Sequence, residues 1–554
     1  MDSKSGLVYH NFVDEEFDSK GRLVKISFKP EDSYNFAFDC IDDVAAKTPS
    51  KPAMVWLNDD KTDERIFTFA DMSEMSKRTA NFFVSLGIKK GDRVMLVLKR
   101  HYSFWFSILA LHRIGAVAVP ATNQLVEKDL VYRFDKANIT AIVCTGDGQV
   151  KEECEKAFAL CPQVVIKILC GPKRDGWEDF EAGVTASSPG YGRQDTHKDE
   201  DMLMYFTSGT TGYPRLVAHA HTYSLAHITT ARHWHNVNPD GIHFTVSDTG
   251  WGKSVWGKLY GQWLCEACVM TYDFEKFAAH DLLVLFAKYK ITSFCAPPTI
   301  FRFFIKEDLG NYDLSSLEYV CTAGEALNPE VFNKFYEHTG LKIMEGFGQT
   351  ETTLTIANLV NTEPKPGSMG LPNPQYDIMV VDPDGSETEN GQIGEVVIRY
   401  GEGRPYGLFK EYVDDAEASA NALRDGIYHT GDTVWRDEDG YLWFVGRTDD
   451  LIKSSGYRIS PFEIESVIME LPYVLECAVI GVPDDLRGQL VKAYIVLVAG
   501  TEGSDELKKQ IQAFTQKATA PYKYPRLVEF IDELPKTISG KIRKVELRQM
   551  SGNP

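Results

Sequence analysis

Nine residues, Thr207-Ser208-Gly209-Thr210-Thr211-Gly212-Tyr213-Pro214-Arg215, place four Ser/Thr hydroxyls and two glycines ahead of a single cation. Glycine permits positive φ and close backbone approach. Free amides and hydroxyls in such a loop can form an anion-binding nest. Polyphosphate suits this set, although plain surface loops share the composition. Apolar runs at 202–206 and 216–218 flank the loop, so it reads as strand, loop, strand. No Gly-Lys-Ser/Thr follows and no helix opens there, which separates it from a Walker A loop.

The elements that must position this loop follow a βαβ rhythm. Thr68 and Asp71 form a capping-box pattern. Phe69, Met72, Met75, Phe82 and Leu86 then recur at helical spacing up to Gly87. Residues 94–98 read as a strand, the stretch to His112 as a helix and 116–119 as a strand. This order implies a mostly parallel sheet covered by helices, with ligands outside the carboxyl ends of its strands. Residues 172–200 are polar and read as a long surface connection. Short β runs with Pro-Asp-Gly and Glu-Asn-Gly turns at 368–400 suggest a small β subdomain. An αβ rhythm restarts after Arg447, which fits a separate C-terminal domain.

The chain has 554 residues and ordinary globular composition, 43% hydrophobic and 25% charged. Its net charge of -20 argues against bulk binding to nucleic acid or anionic membrane. Residues 508–554 run against that trend, with ten Lys/Arg and four Asp/Glu, and suggest a local site for an anion. Phe104 to Leu111 reads as a buried helix, too short and too closely flanked by charge for a membrane span. Ten scattered cysteines and an unremarkable start lead to the expectation of a cytoplasmic protein. Cys265 and Cys268 form a lone CxxC, read as a buried pair rather than zinc ligands. The histidines between 219 and 243 match no metal spacing.

Further motifs stand downstream: Glu345-Gly346-Phe347-Gly348-Gln349-Thr350-Glu351-Thr352, Tyr428-His429-Thr430-Gly431-Asp432, Gly446-Arg447-Thr448-Asp449-Asp450-Leu451-Ile452-Lys453, Ser454-Ser455-Gly456-Tyr457-Arg458 and Pro535-Lys536-Thr537-Ile538-Ser539-Gly540-Lys541. Together with the loop, and in this order over nearly the whole chain, they resemble the adenylate-forming superfamily of acyl-CoA synthetases, luciferases and peptide-synthetase adenylation domains. Within it the chain is most similar to the medium-chain acyl-CoA synthetases.

The resemblance implies an α/β fold with a large N-terminal domain, residues 1–448. That domain would comprise two doubly wound αβ subdomains and a small β subdomain. A small α+β C-terminal domain, residues 449–554, would hinge on Asp449. The implied reaction joins a carboxylate to the α-phosphate of ATP and then transfers the acyl group to coenzyme A. Thr207, Ser208, Gly209, Thr210, Thr211, Gly212 and Arg215 would hold the β- and γ-phosphates; the family usually has Lys where Arg215 stands. Glu351 would bind Mg²⁺ and Thr350 would touch the α-phosphate. Asp432 would take the ribose hydroxyls, supported by Arg447. Gly324, Glu325 and Ala326 would flank the adenine, with Phe347 as its stacking surface and Gly348 and Gln349 beside it. Lys541 would neutralise charge as the acyl-phosphate bond forms. Gly456 would line a pantetheine tunnel. Ser455, Tyr457, Arg487, Tyr524, Pro525 and Arg526 would contact coenzyme A.

For the acyl pocket the resemblance implies Trp251 as wall, with Trp256 and Lys258 nearby in sequence. Acetate-specific relatives carry Trp at the position of Gly348, so Gly348 is expected to leave room for a medium-chain, branched or aromatic acid. Two other readings stand beside the synthetase: a stand-alone adenylation enzyme loading a carrier protein, and a non-catalytic binder of nucleotide or carboxylate. A homo-oligomer is left open.

Overall fold

The computed structural model describes residues 6–207, 213–401, 403–455, 457–520, 522–536 and 542–552. The loop residues Ser208 to Gly212, Gly456, and the stretch from Thr537 to Lys541 lie outside these.

Two large sheets carry the N-terminal part. The first has seven strands, in the order Leu216–Ala220, Asp201–Phe206, Val117–Pro120, Arg93–Val97, Ala141–Thr145, Ile166–Cys170 and Glu178–Asp179. It is parallel except for Leu216–Ala220, which runs antiparallel to Asp201–Phe206. The second has nine strands, among them the parallel neighbours Ile242–Thr245, Ile291–Ala296, Tyr319–Thr322 and Ile343–Gly348. The two sheets agree with the two αβ subdomains that the resemblance implies.

Helix Ser103–Ile114 lies between packed elements and is buried over all twelve residues. Its Arg113 does not face solvent; the guanidinium makes two bonds to Asp42, at 2.9 and 2.7 Å, and one to Ser76 at 3.0 Å. An ion this deep is tolerated because its donors are met. Helix Phe69–Ser85 starts where the sequence indicates, with the Thr68–Asp71 capping box formed. Residues 172–200 are not purely a connection. Asp179 caps a short helix, Phe180–Ala186, whose Phe180 and Val184 are buried.

A small antiparallel sheet follows: Asp377–Val381, Ile393–Arg399, Ile427–Arg436 and Leu423–Arg424, with Leu442–Arg447 paired to Ile427–Arg436. The last sheet joins Ile452–Ser454, Tyr457–Ile459, Gly488–Leu497, Val474–Asp484 and Leu527–Phe530. It packs with helices Pro461–Ile468 and Asp505–Ala518 around Ile464, Ile468, Val479, Ile495 and Ile511. The fold class is the α/β arrangement expected, with a large N-terminal and a small C-terminal domain.

Candidate active site

The site lies where strands of both large sheets end. Strand Asp201–Phe206 leads into the hydroxyl-rich loop, Tyr319–Thr322 into Ala323 and Gly324, and Ile343–Gly348 into Gln349 to Thr353. Carboxyl ends of parallel strands are the usual place for ligands in such sheets.

The loop's base is fixed by Thr207 N–H donating to the Arg215 carbonyl at 2.8 Å. Pro214 O accepts from Tyr132 OH at 2.8 Å, and exposed Tyr213 stacks on Tyr132 with ring centres 4.6 Å apart. Arg215 lies over the Tyr412 ring, 5.2 Å from its centre, and 4.0 Å from the Asp415 carboxylate.

Gln349, Thr350 and Glu351 occupy a tight connection between antiparallel strands Ile343–Gly348 and Leu354–Ala357. Each is held from a different direction. Gln349 accepts from Tyr428 OH at 2.5 Å and donates to Thr430 O at 2.9 Å and to Asp432. Thr350 O accepts from buried His219 Nε2 at 2.7 Å. A carbonyl cannot donate, so that nitrogen carries the proton. Burial pushes the His219 pKa down to about 4, so the ring is neutral. Glu351 Oε1 accepts from Tyr412 OH at 2.8 Å.

Asp432 and Arg447 are direct cross-strand partners. An Arg447 guanidinium nitrogen sits 3.4 Å from Asp432 Oδ1 and donates to Thr430 O at 2.9 Å. Gly431 has φ +70°, and a Cβ there would stand 2.7 Å from that guanidinium. Glycine is therefore needed twice over at this turn. Phe347 is half-buried, with its ring 6.5 Å from that of Phe444. Gly324 has φ +105° and open space beside it; Glu325 is exposed and 3.4 Å from Arg302; Ala326 lies next to Leu327, whose N–H donates to Glu345 at 3.3 Å. Lys253, two residues beyond Trp251, donates to Ala323 O at 2.6 Å and so ties the helix Gly252–Lys258 to this segment.

Glu345 is almost fully buried, and burial pushes its carboxyl up to about 8. Its native form therefore binds more protons than the unfolded chain from about pH 4.5 to about pH 8, and stability falls as pH rises through that window. Glu345→Gln removes the titration. Thermal unfolding at pH 5 and pH 8.5 should show wild type losing more stability than the variant on going to the higher pH; parallel losses would mean Glu345 is solvated.

The space expected beside Gly348 is filled. A Cβ there would stand 2.3 Å from the Thr353 carbonyl oxygen and 2.5 Å from the Trp256 ring. The missing side chain serves close packing of these two groups rather than an open cavity. The Trp256 indole N–H donates to Tyr223 OH at 3.0 Å, which fixes the ring. Trp251 caps the helix Gly252–Lys258 and is half-buried. Buried Lys258 donates to Ser247 O at 2.6 Å, under the same wall segment.

Asp449 is exposed, 3.8 Å from the Arg447 guanidinium, and Asp450 pairs with Arg548. Beyond it, Ser455 has φ +52°, and Arg487 Nη1 donates to Ser455 Oγ at 3.3 Å. Exposed Tyr457 stacks on Tyr522, ring centres 4.1 Å apart. Tyr524 and Arg526 form their own pair, with a 2.9 Å hydrogen bond and the guanidinium 4.9 Å over the ring. Pro525 is buried, and its carbonyl accepts from Gln512 at 3.1 Å. The structure thus joins Ser455 with Arg487, and Tyr524 with Arg526. Sequence reasoning assigned no role to Tyr412, Tyr428, His219 or Glu345. Cys265 and Cys268 are both buried.

Comparison with known proteins agrees with this arrangement. The AMP-binding enzyme family matches residues 41–429 and its C-terminal domain matches residues 463–541. The mitochondrial acyl-coenzyme A synthetase ACSM3 of Mus musculus is 39% identical, over 95% of this chain and 92% of its own. The Homo sapiens form of ACSM3 is 40% identical, over 93% and 89%. Among solved structures, the anthranilate CoA ligase AuaEII in complex with anthranoyl-AMP has a TM-score of 0.86 at 27% identity, covering 94% of this chain and 98% of that one. An acyl-CoA synthetase from Brucella canis has a TM-score of 0.71 at 30% identity, covering 95% of both. The curated relatives are named as mitochondrial, which overturns the cytoplasmic expectation; scattered thiols fit any reducing compartment and do not tell one from another. With a family match across two thirds of the chain and relatives this similar end to end, the protein belongs to the AMP-binding enzyme family and is an ATP-dependent acid–CoA ligase of the acyl-CoA synthetase type.

Proposed function

We propose that the chain converts a compact carboxylic acid, branched or aromatic, and ATP to acyl-AMP and pyrophosphate, then transfers the acyl group to coenzyme A with release of AMP. The observation that carries this reading is the convergence of Gln349, Thr350 and Glu351 with Asp432 and Arg447 beside the end of the hydroxyl-rich loop. The first step brings two anions together, so it calls for fixed cations and donors rather than a strong base. Thr207 to Gly212 and Arg215 would receive the β- and γ-phosphates, Thr350 the α-phosphate, and Asp432 the ribose hydroxyls. Gly324, Glu325, Ala326 and Phe347 would border the adenine. Lys541 would meet the charge that builds at the acyl-phosphate bond.

Glu351 suits Mg²⁺, a hard cation that takes one or two carboxylates together with phosphate oxygens. One carboxylate oxygen is held by Tyr412, and the other has no hydrogen-bond partner among the described residues. The metal would offset phosphate charge. The compact acid is supported by Trp256, whose ring packs against Gly348 and would close an acyl path there.

Coenzyme A would be held by the C-terminal domain, residues 449–554, turning about Asp449. Ser455, Tyr457, Arg487, Tyr524, Pro525 and Arg526 would offer it cations, aromatic faces and backbone groups, with Gly456 beside the thiol. Gly456→Leu should leave acid-dependent pyrophosphate exchange intact while abolishing thioester formation with free coenzyme A. A panel of acids from acetate to octanoate, with branched and aromatic members, tests the rest. Acyl-AMP without any free thioester would move the acceptor to a carrier protein.

A further inference from the structure

Residues 409–413 touch both halves of the site and belong to none of the motifs read from sequence. Lys410 N–H donates to Ala218 O at 2.8 Å, Ala218 N–H to Glu411 O at 3.2 Å and Val413 N–H to Leu216 O at 2.8 Å. The segment thus runs along the strand that follows the hydroxyl-rich loop, with Val217 and Tyr412 paired antiparallel. Its other end is tied to the acid motif: Phe409 N–H donates to Glu351 O at 2.8 Å.

Tyr412 stands at the centre of this bridge. Its ring is buried among Val217, Leu408, Phe409 and Tyr428. Its hydroxyl donates to Glu351 Oε1, while the Arg215 guanidinium covers its face. Tyr428, from the same cluster, holds Gln349 in the same manner. Two buried phenols therefore grip two side chains of one half-buried turn. A half-buried glutamate without such a bond would sample several rotamers and would lose that freedom on binding a ligand.

Resting on the assignment of Glu351 to the metal, we propose that Tyr412 is a positioning residue for the metal carboxylate. It fixes one oxygen of Glu351 so that the other faces the nucleotide, and it couples that carboxylate to Arg215 at the end of the phosphate loop. Tyr412 does not touch the substrate; it acts through Glu351 and Arg215.

Tyr412→Phe keeps the ring, its packing and the guanidinium of Arg215 over the ring face, and deletes only the hydroxyl with its bonds. The readout is equilibrium binding of ATP by calorimetry, with Mg²⁺ and with EDTA, in wild type, Tyr412→Phe, Glu351→Gln and the double variant. Tyr412→Phe should weaken binding of Mg-ATP about tenfold, the scale of one charge-assisted hydrogen bond, and leave metal-free ATP binding unchanged. The double variant should bind no worse than Glu351→Gln, because the phenol then has no carboxylate to hold. Equal weakening with and without metal, or additive losses in the double variant, would show Tyr412 to be a core residue and overturn the proposal. If Glu351→Gln itself leaves the Mg²⁺ dependence intact, the metal assignment fails and the role of Tyr412 with it. If only Tyr412→Phe is silent, the metal assignment stands and the positioning role alone is lost.

Discussion

Lys541→Ala is expected to slow acyl-AMP formation by ~10²–10³-fold, the scale of removing one preorganised donor from a developing charge. Thioester formation from supplied acyl-AMP should persist. The expectation rests on chemistry more than on place, since Lys541 lies outside the described residues. Carboxylate and triphosphate repel each other as they meet, and the cations beside the phosphate loop and the ribose carboxylate are already paired. Arg215 is engaged with Tyr412 and Asp415, and Arg447 with Asp432 and Thr430. A further cation would offset the charge that these leave. Lys536 and Ile542 pair antiparallel, and Arg543 N–H donates to Pro535 O at 2.8 Å. On the proposed hinge at Asp449, the C-terminal domain would bring Lys541 in for the first step and withdraw it for the second. The measurement is single-turnover kinetics of each half-reaction. Equal loss in both would make Lys541 structural.

What could be read from sequence was whatever is encoded locally. The capping box at Thr68 and Asp71 is a four-residue signal, and it forms as written. Strand, loop, strand around Thr207 to Arg215 is equally local, because apolar runs bracket a breaker-rich stretch. Helix Phe180–Ala186 was hidden because it is short and buries only Phe180 and Val184, leaving a polar composition. Arg113 at the end of the buried helix was read as a charged flank. Its partner Asp42 stands 71 residues away, and no periodicity reports that. Tyr412 is the clearest case within the site. Its two contacts toward the site, Glu351 and Arg215, come from connections distant in sequence, and nothing in Glu411-Tyr412-Val413 marks the residue as other than core. Sequence motifs thus named the groups proposed to face the ligand, while the groups packed behind them depended on sheet pairing.

Gly348 shows the same limit from the opposite side, and it sets the second large expectation. Sequence shows that a side chain is missing but not what takes its place. Here the Thr353 carbonyl and the Trp256 ring do. Gly348→Trp, which on sequence grounds should cap a pocket and favour acetate, is instead expected to abolish turnover of all acids. A Cβ alone would collide with backbone, which overpacking cannot relieve by rotamer change. On the compact-acid reading the residue that would limit acyl length is Trp256, pinned by Tyr223. Trp256→Ala should open the path and raise kcat/KM for octanoate relative to butyrate by ~10²-fold. Four added methylenes at ~0.8 kcal/mol each set a ceiling of a few hundredfold. Truncating a buried Trp costs ~3–5 kcal/mol of stability, so Trp256→Leu, which fills more of the gap, serves as the companion variant. It should show the same direction of change with a smaller shift. If both variants stay folded and the octanoate-to-butyrate ratio does not move, Trp256 does not border the acyl chain, and the compact-acid reading falls with it.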